Sequence, residues 1–141
     1  MKYRHILVAI DLNDESNLLI DRAKYLAKEL KADISLIHVD ASHGKLYHDL
    51  YDLNDPEVEP PLNKEMLDHL QPFIDHCEQP VKHIFVGTGM LSDTFVNGII
   101  ASEVDLLICG HHHDLFSRFI SYSKDIIDKS PIDILVIPII N

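Results

Sequence analysis

The chain has 141 residues, 46% of them apolar and 25% charged, which suits one soluble globular domain spanning residues 1–141 with a full hydrophobic core. Its 12 Lys+Arg against 23 Asp+Glu give a net charge of −11 with His neutral, a surface that repels phosphate backbones and argues against nucleic acid as a partner. No apolar run reaches the roughly 18 residues that span a bilayer, and no cleavable signal pattern opens the chain, so a cytoplasmic protein without a membrane partner is expected.

Five short β-rich runs punctuate the chain, at residues 5–10, 34–39, 81–86, 104–109 and 132–137. Most are continuously apolar, the pattern of parallel strands covered on both faces. Between the first two, Asn13 or Asp14 can cap a helix whose Leu19, Ala23, Leu26, Ala27 and Leu30 share one face. The segment 41–61 is polar, acidic and broken by Pro56, Pro60 and Pro61, and reads as an irregular excursion; residues 45–53 within it are compatible with a short helix. A second helix is expected over 62–77, with Met66, Leu70, Phe73 and Cys77 facing inward and Pro72 kinking or splitting it.

A third helix is expected over 91–102, burying Phe95, Val96, Ile99 and Ile100, and a fourth over 115–128, burying Phe116, Phe119, Ile120, Ile126 and Ile127. Cys77 and Cys109 are isolated within apolar surroundings and form no CxxC pair, so buried reduced thiols are expected. Strand–helix alternation with crossovers of this length predicts a doubly wound α/β fold built on a parallel sheet.

In such a sheet, ligands sit beyond the carboxyl ends of the strands, where the strand order reverses. The residues there are Asp11, Val39 and Asp40, Gly87-Thr88-Gly89, and Gly110 followed by His111, His112 and His113. The sequences "YRHILVAIDLNDES", "ADISLIHVD", "VDLLICGHHHDLFSR" and "IDILVIPI" resemble the universal stress protein family, in its UspA-type branch, over nearly the whole chain. The resemblance implies a five-stranded parallel sheet of order 3-2-1-4-5 with helices on both faces. It also implies a homodimer joined through the last strand, at Ile134, Leu135, Val136 and Ile137.

One branch of that family binds ATP through a loop of pattern G-x2-G-x9-G-[S/T] after the fourth strand. An aspartate at the end of the first strand and backbone at the end of the second hold the nucleoside. By this resemblance Asp11, Val39 and Gly110 occupy the family's positions, whereas His113 and Ser123 replace its second and third glycines and Lys124 its Ser/Thr. A phosphate loop uses glycine so that backbone N–H groups approach the anion closely. Side chains at positions 113 and 123 obstruct that approach, so ATP is not expected as a cofactor, matching the branch that lacks the motif.

The residues themselves leave several readings of the histidine triplet open. Adjacent residues in an extended segment diverge, so no more than two of the three could share a metal ion, and His69 and His76 lie elsewhere. Asp11, Asp40, Ser92 and Ser117 supply acids and hydroxyls, but neither a GxSxG elbow nor a Walker lysine is present, and no catalytic residue is assigned. A helix start after Asp114 could hold sulfate or phosphate, or the histidines could fill the vacated pocket and cap that helix. The expectation is therefore a non-enzymatic stress-response protein with no cofactor or metal, partnered by itself and by unidentified proteins and open to Ser/Thr phosphorylation. An ATP- or AMP-binding sensor and a weak hydrolase or phosphotransferase are the alternatives.

Overall fold

Continuously apolar runs become buried strands when they pair side by side, and the computed structural model places them so. It describes residues 3–39, 51–54, 60–87, 101–112 and 131–139. The elements are β1 (His5–Ile10), α1 (Ser16–Leu30), β2 (Asp33–Val39), β3 (Tyr51–Asp52), α2 (Pro60–His76), β4 (Val81–Gly87), β5 (Leu106–His112) and β6 (Asp133–Ile139). They form one sheet of order β3-β4-β2-β1-β5-β6. All pairings are parallel except that of β3 with β4. The α/β fold and the order of the five parallel strands stand as expected.

The strand count does not, because the sheet has six strands. Within the expected excursion 41–61, Tyr51 and Asp52 pair antiparallel with Val86 and Phe85. Pro60 and Pro61 open α2 instead of interrupting a loop, at the positions where a helix has no N–H bond to lose. Residues 41–50, which include most of the short helix considered over 45–53, lie outside the described residues, and positions 51–53 of that stretch are not helical. Pro72 leaves α2 a single helix; it falls near the carboxyl end, where one lost bond does not divide the element.

Two apolar faces sandwich the sheet. On one, Ile6, Val8, Ile10, Ile34, Leu36, Ile84 and Ile108 pack against Leu19, Ile20 and Ala23 of α1 and Met66, Leu70 and Phe73 of α2. Each fully buried aliphatic side chain here contributes about 1.5–3 kcal/mol of transfer free energy. On the other, Leu7, Ile37, Phe85 and Leu107 cluster with Val104. The helix expected over 115–128 lies outside the described residues, as does all but the end of that over 91–102. Among the described residues, no helix is long and apolar enough to cross a membrane.

α1 begins later than its capping signals suggested. Glu15 occupies the cap position without a side-chain bond, while Asn13 Oδ1 accepts the N–H of Glu15 at 3.1 Å. Tight turns from Ser16, Asn17 and Leu18 back to the carbonyls of Asn13, Asp14 and Glu15 lead into the helix. Backbone turns here replace the direct side-chain cap expected from Asn13 or Asp14.

Candidate functional site

The register fixes where the rim residues meet. Ile10 of β1 pairs with His38 of β2, and Val8 pairs with Ile108 of β5. Asp11, Val39 and the segment Gly110–His112 therefore end three adjacent strands side by side. From β1 the strand order runs to β2 and β4 on one side and to β5 and β6 on the other, so the reversal falls between β1 and β5. Asp11 and Gly110 flank that crevice. His113, Ser123 and Lys124 lie outside the described residues.

Two rim residues were not evident from sequence. Ser16, 2% exposed, folds the turn after β1: its hydroxyl donates to the Asp11 carbonyl and accepts the Asp11 N–H, both at 2.8 Å. One hydroxyl thus locks the main chain of the aspartate. His38, also 2% exposed, has its Nδ1 3.0 Å from the Ile10 carbonyl. Because a carbonyl only accepts, Nδ1 carries the proton there. The signal for His38 was a lone polar residue within an apolar strand, which the search for charged and glycine positions passed over.

His111 and His112 do not form the open turn that the sequence suggested. β5 runs two positions past Gly110, and its pairing with β6 continues through Gly110↔Ile137, His111↔Pro138 and His112↔Ile139. The expected strand 104–109 is displaced toward the carboxyl side because β6 keeps offering a partner as far as Ile139. Proline cannot donate to a ladder, yet pairing to β5 continues past Pro138, as an edge strand permits where the missing N–H faces away from the sheet. Gly110 has no positive φ; a Cβ there would lie 2.6 Å from Ile139 Cδ1 and 3.4 Å from Leu19 Cδ1.

No group of three or more metal-ligating side chains occurs among the described residues. His76 Nε2 lies 2.7 Å from Asp21 Oδ1, joining α2 to α1. Both cysteines are buried and free, and burial pushes the Cys77 thiol up to about 11 against the opposing pull of Lys24. A thiol held so far above neutrality is a poor nucleophile at physiological pH.

On the last strand, Ile134 and Leu135 are half-buried and Val136 is 37% exposed, whereas Ile137 is 8% exposed and packs into the core of its own chain. Beside this edge lies an open groove of ≈ 690 Å³, lined by Leu18, Asp21, Arg22, Tyr25, Leu26, Ile137 and Pro138.

Comparison with known proteins agrees with this architecture. Residues 2–138 match the universal stress protein family. The chain is 33% identical over 139 residues to universal stress protein A of Escherichia coli (strain K12), covering 99% of this chain and 96% of that protein. It is 36% identical to the universal stress protein A homolog of Haemophilus ducreyi (strain 35000HP / ATCC 700724), covering 99% of each. Among solved structures, a universal stress protein in complex with cAMP superposes with a TM-score of 0.69 at 18% identity, covering 99% of this chain and 100% of that one. The universal stress protein from Archaeoglobus fulgidus in complex with dAMP gives 0.63 at 17% identity, covering 97% and 99%. The whole-length family match and the identity to its curated members establish that the chain belongs to the universal stress protein family.

Proposed function

We propose that the chain is a UspA-type stress-response protein that works in the cytoplasm as a homodimer, through protein contacts and without enzymatic turnover or resident ATP. The observation that supports this reading is the union of the β6 strand edge, outermost in the sheet among the described residues, with an apolar groove. Val136 on β6 and Leu18 and Tyr25 on α1 are exposed at 37%, 54% and 64%, unusual places for large apolar side chains. Asp21 and Arg22 in the same groove give it one charge of each sign, which suits self-complementary pairing about a two-fold axis.

The ATP part of the reading is supported by His113, Ser123 and Lys124 at the family's motif positions and by the packing role of Gly110 against Ile139. A second reading, a sensor of adenine mononucleotides, is favoured by the side-by-side strand ends at Asp11, Val39 and Gly110 and by the cAMP and dAMP complexes of the two similar structures. A mononucleotide needs fewer phosphate contacts than ATP, so the two readings separate experimentally.

Isothermal titration with ATP–Mg, AMP and cAMP tests both. No saturable heat from ATP–Mg is expected, and a micromolar Kd for it overturns the first reading. Micromolar binding of AMP or cAMP alone, abolished by Asp11→Ala, transfers support to the second. A sulfate or phosphate ion bound after Gly110 is compatible with either reading.

A further inference from the structure

At the opposite end of the sheet, polar side chains cross three strands on an otherwise apolar face. His5, 3% exposed, opens β1; its Nδ1 lies 3.0 Å from the Ser102 carbonyl and its Nε2 2.6 Å from Ser35 Oγ. The carbonyl accepts the Nδ1–H, so the unprotonated Nε2 accepts the Ser35 hydroxyl. Ser35 is fully buried, and its oxygen also accepts the backbone N–H of His83 at 3.0 Å.

A slip in the ladder creates that last bond. Ile34 pairs with Val81 but Leu36 pairs with Ile84, so Ser35 alone faces both Lys82 and His83. Such a bulge re-aims the side chain it carries. The His83 ring stacks on Phe85 at 5.3 Å between centroids, lies 5.8 Å from the His5 ring, and places Nδ1 2.6 Å from Asp52 Oδ2. Asp52 belongs to β3, and its other oxygen accepts the N–H of Ile84 at 3.1 Å. Further ties of this edge land on the same bulged stretch: Leu53 N–H on the Ile84 carbonyl at 2.8 Å, and Asn54 Nδ2 on the carbonyls of Val81 and Lys82 at 3.3 and 3.1 Å.

We propose that His5–Ser35–His83–Asp52 is an acid-sensitive latch holding edge strand β3 on the sheet, and that a second proton on His5 releases it. In the neutral state every donor in the chain meets an acceptor. A proton on Nε2 sets two donors face to face across 2.6 Å. The Ser35 oxygen can turn to accept it only while also holding the His83 N–H, and its own proton then loses its acceptor in a fully buried place. The contact that yields is the one at the bulge, and the bonds of Asp52, Leu53 and Asn54 to residues 81–84 all land beside it, next to the ladder pairs Tyr51↔Val86 and Asp52↔Phe85.

The surrounding charges fit this direction. Burial holds His5 below the ordinary imidazole value of 6.5; the Ser102 carbonyl opposes this, Lys82 and His83 reinforce it, and Asp33 opposes it. Other charged groups at this end include Asp52 on β3, Arg4 beside His5, Glu103 beside Ser102, Asp133 at the start of β6, and Asp105 before β5, whose carboxylate accepts the N–H groups of Arg4 and His5 at 2.9 and 3.1 Å. Lys82 is itself 3.6 Å from Asp33. Because folding lowers the affinity of His5 for its proton, its contribution is complete above 6.5 and is lost as pH falls through its own lower value.

Amide hydrogen exchange with histidine ring titration by NMR tests the latch. Between about pH 7.5 and pH 5, corrected for intrinsic exchange, protection at Leu53, His83 and Ile84 should fall roughly tenfold more than at Val8, the change that one pK unit of linkage produces. The fall should share its midpoint with the His5 ring, and a midpoint that follows another histidine, or an unchanged ratio to Val8, overturns the proposal. His5→Gln keeps a donor and an acceptor but does not titrate, and should abolish the differential fall; its persistence also overturns the proposal. Should His5→Gln not fold, the coincidence of midpoints in the unaltered protein decides.

Discussion

A Cβ at Gly110 would press on Ile139 Cδ1 at 2.6 Å, with Ile139 itself only 2% exposed. Gly110→Ala is therefore expected to lower unfolding stability by about 1–3 kcal/mol in urea denaturation, the usual cost of an extra methyl in a filled core. Adding Ile139→Val, which deletes Cδ1, should recover part of that loss, and a cost indifferent to the second change refutes the packing role. A glycine after a strand looks the same in sequence whether its missing Cβ admits a phosphate or a neighbouring isoleucine, so this distinction was not legible there. Asp11 and Gly110 were legible as strand-end residues. Ser16 was not, because Asn13, Asp14 and Ser16 all have the chemistry of a helix start and only the fold chooses among them.

Among the described residues the helices end without glycine. Lys31 closes α1 at φ 55° and ψ 47°, and Glu78 and Glu103 also have positive φ, at 55° and 58°. Left-handed geometry costs an L-residue about 1–2 kcal/mol, part of which glycine gives back through its freer unfolded chain. Lys31→Gly should raise stability by about 0.5–1 kcal/mol in thermal unfolding, and a loss of stability contradicts the strain. The same scale explains which elements periodicity found. The five parallel strands carry long apolar runs, whereas β3 is two residues in a polar, proline-rich stretch and depends on Asp52 and Asn54 reaching a strand some thirty residues later. A contact of that range leaves no local pattern to read.

Across the whole molecule, the two edges of the sheet are treated differently. On β6, Val136 is exposed, and Val136→Lys should place a charge where a second chain would pair. Light scattering at micromolar concentration is expected to give about twice the 16.1 kDa chain mass for the unaltered protein and a single chain mass for the variant. A monomeric unaltered protein refutes pairing through this edge. The strand order was available in the sequence through family resemblance; the different finish of the two edges was not, because it depends on β3 and on side chains that meet only in the fold.

β3 has one more consequence. With Asp52 on the Ile84 N–H and Asn54 on the carbonyls of Val81 and Lys82, the outer margin of β4 is plugged along most of its length. With pairing through β6 as proposed, the sheet formed by the described residues is monovalent: a chain with one sticky side pairs once and stops. Unlatching β3 would make it divalent, and a divalent sheet has the valence of a link in a polymer.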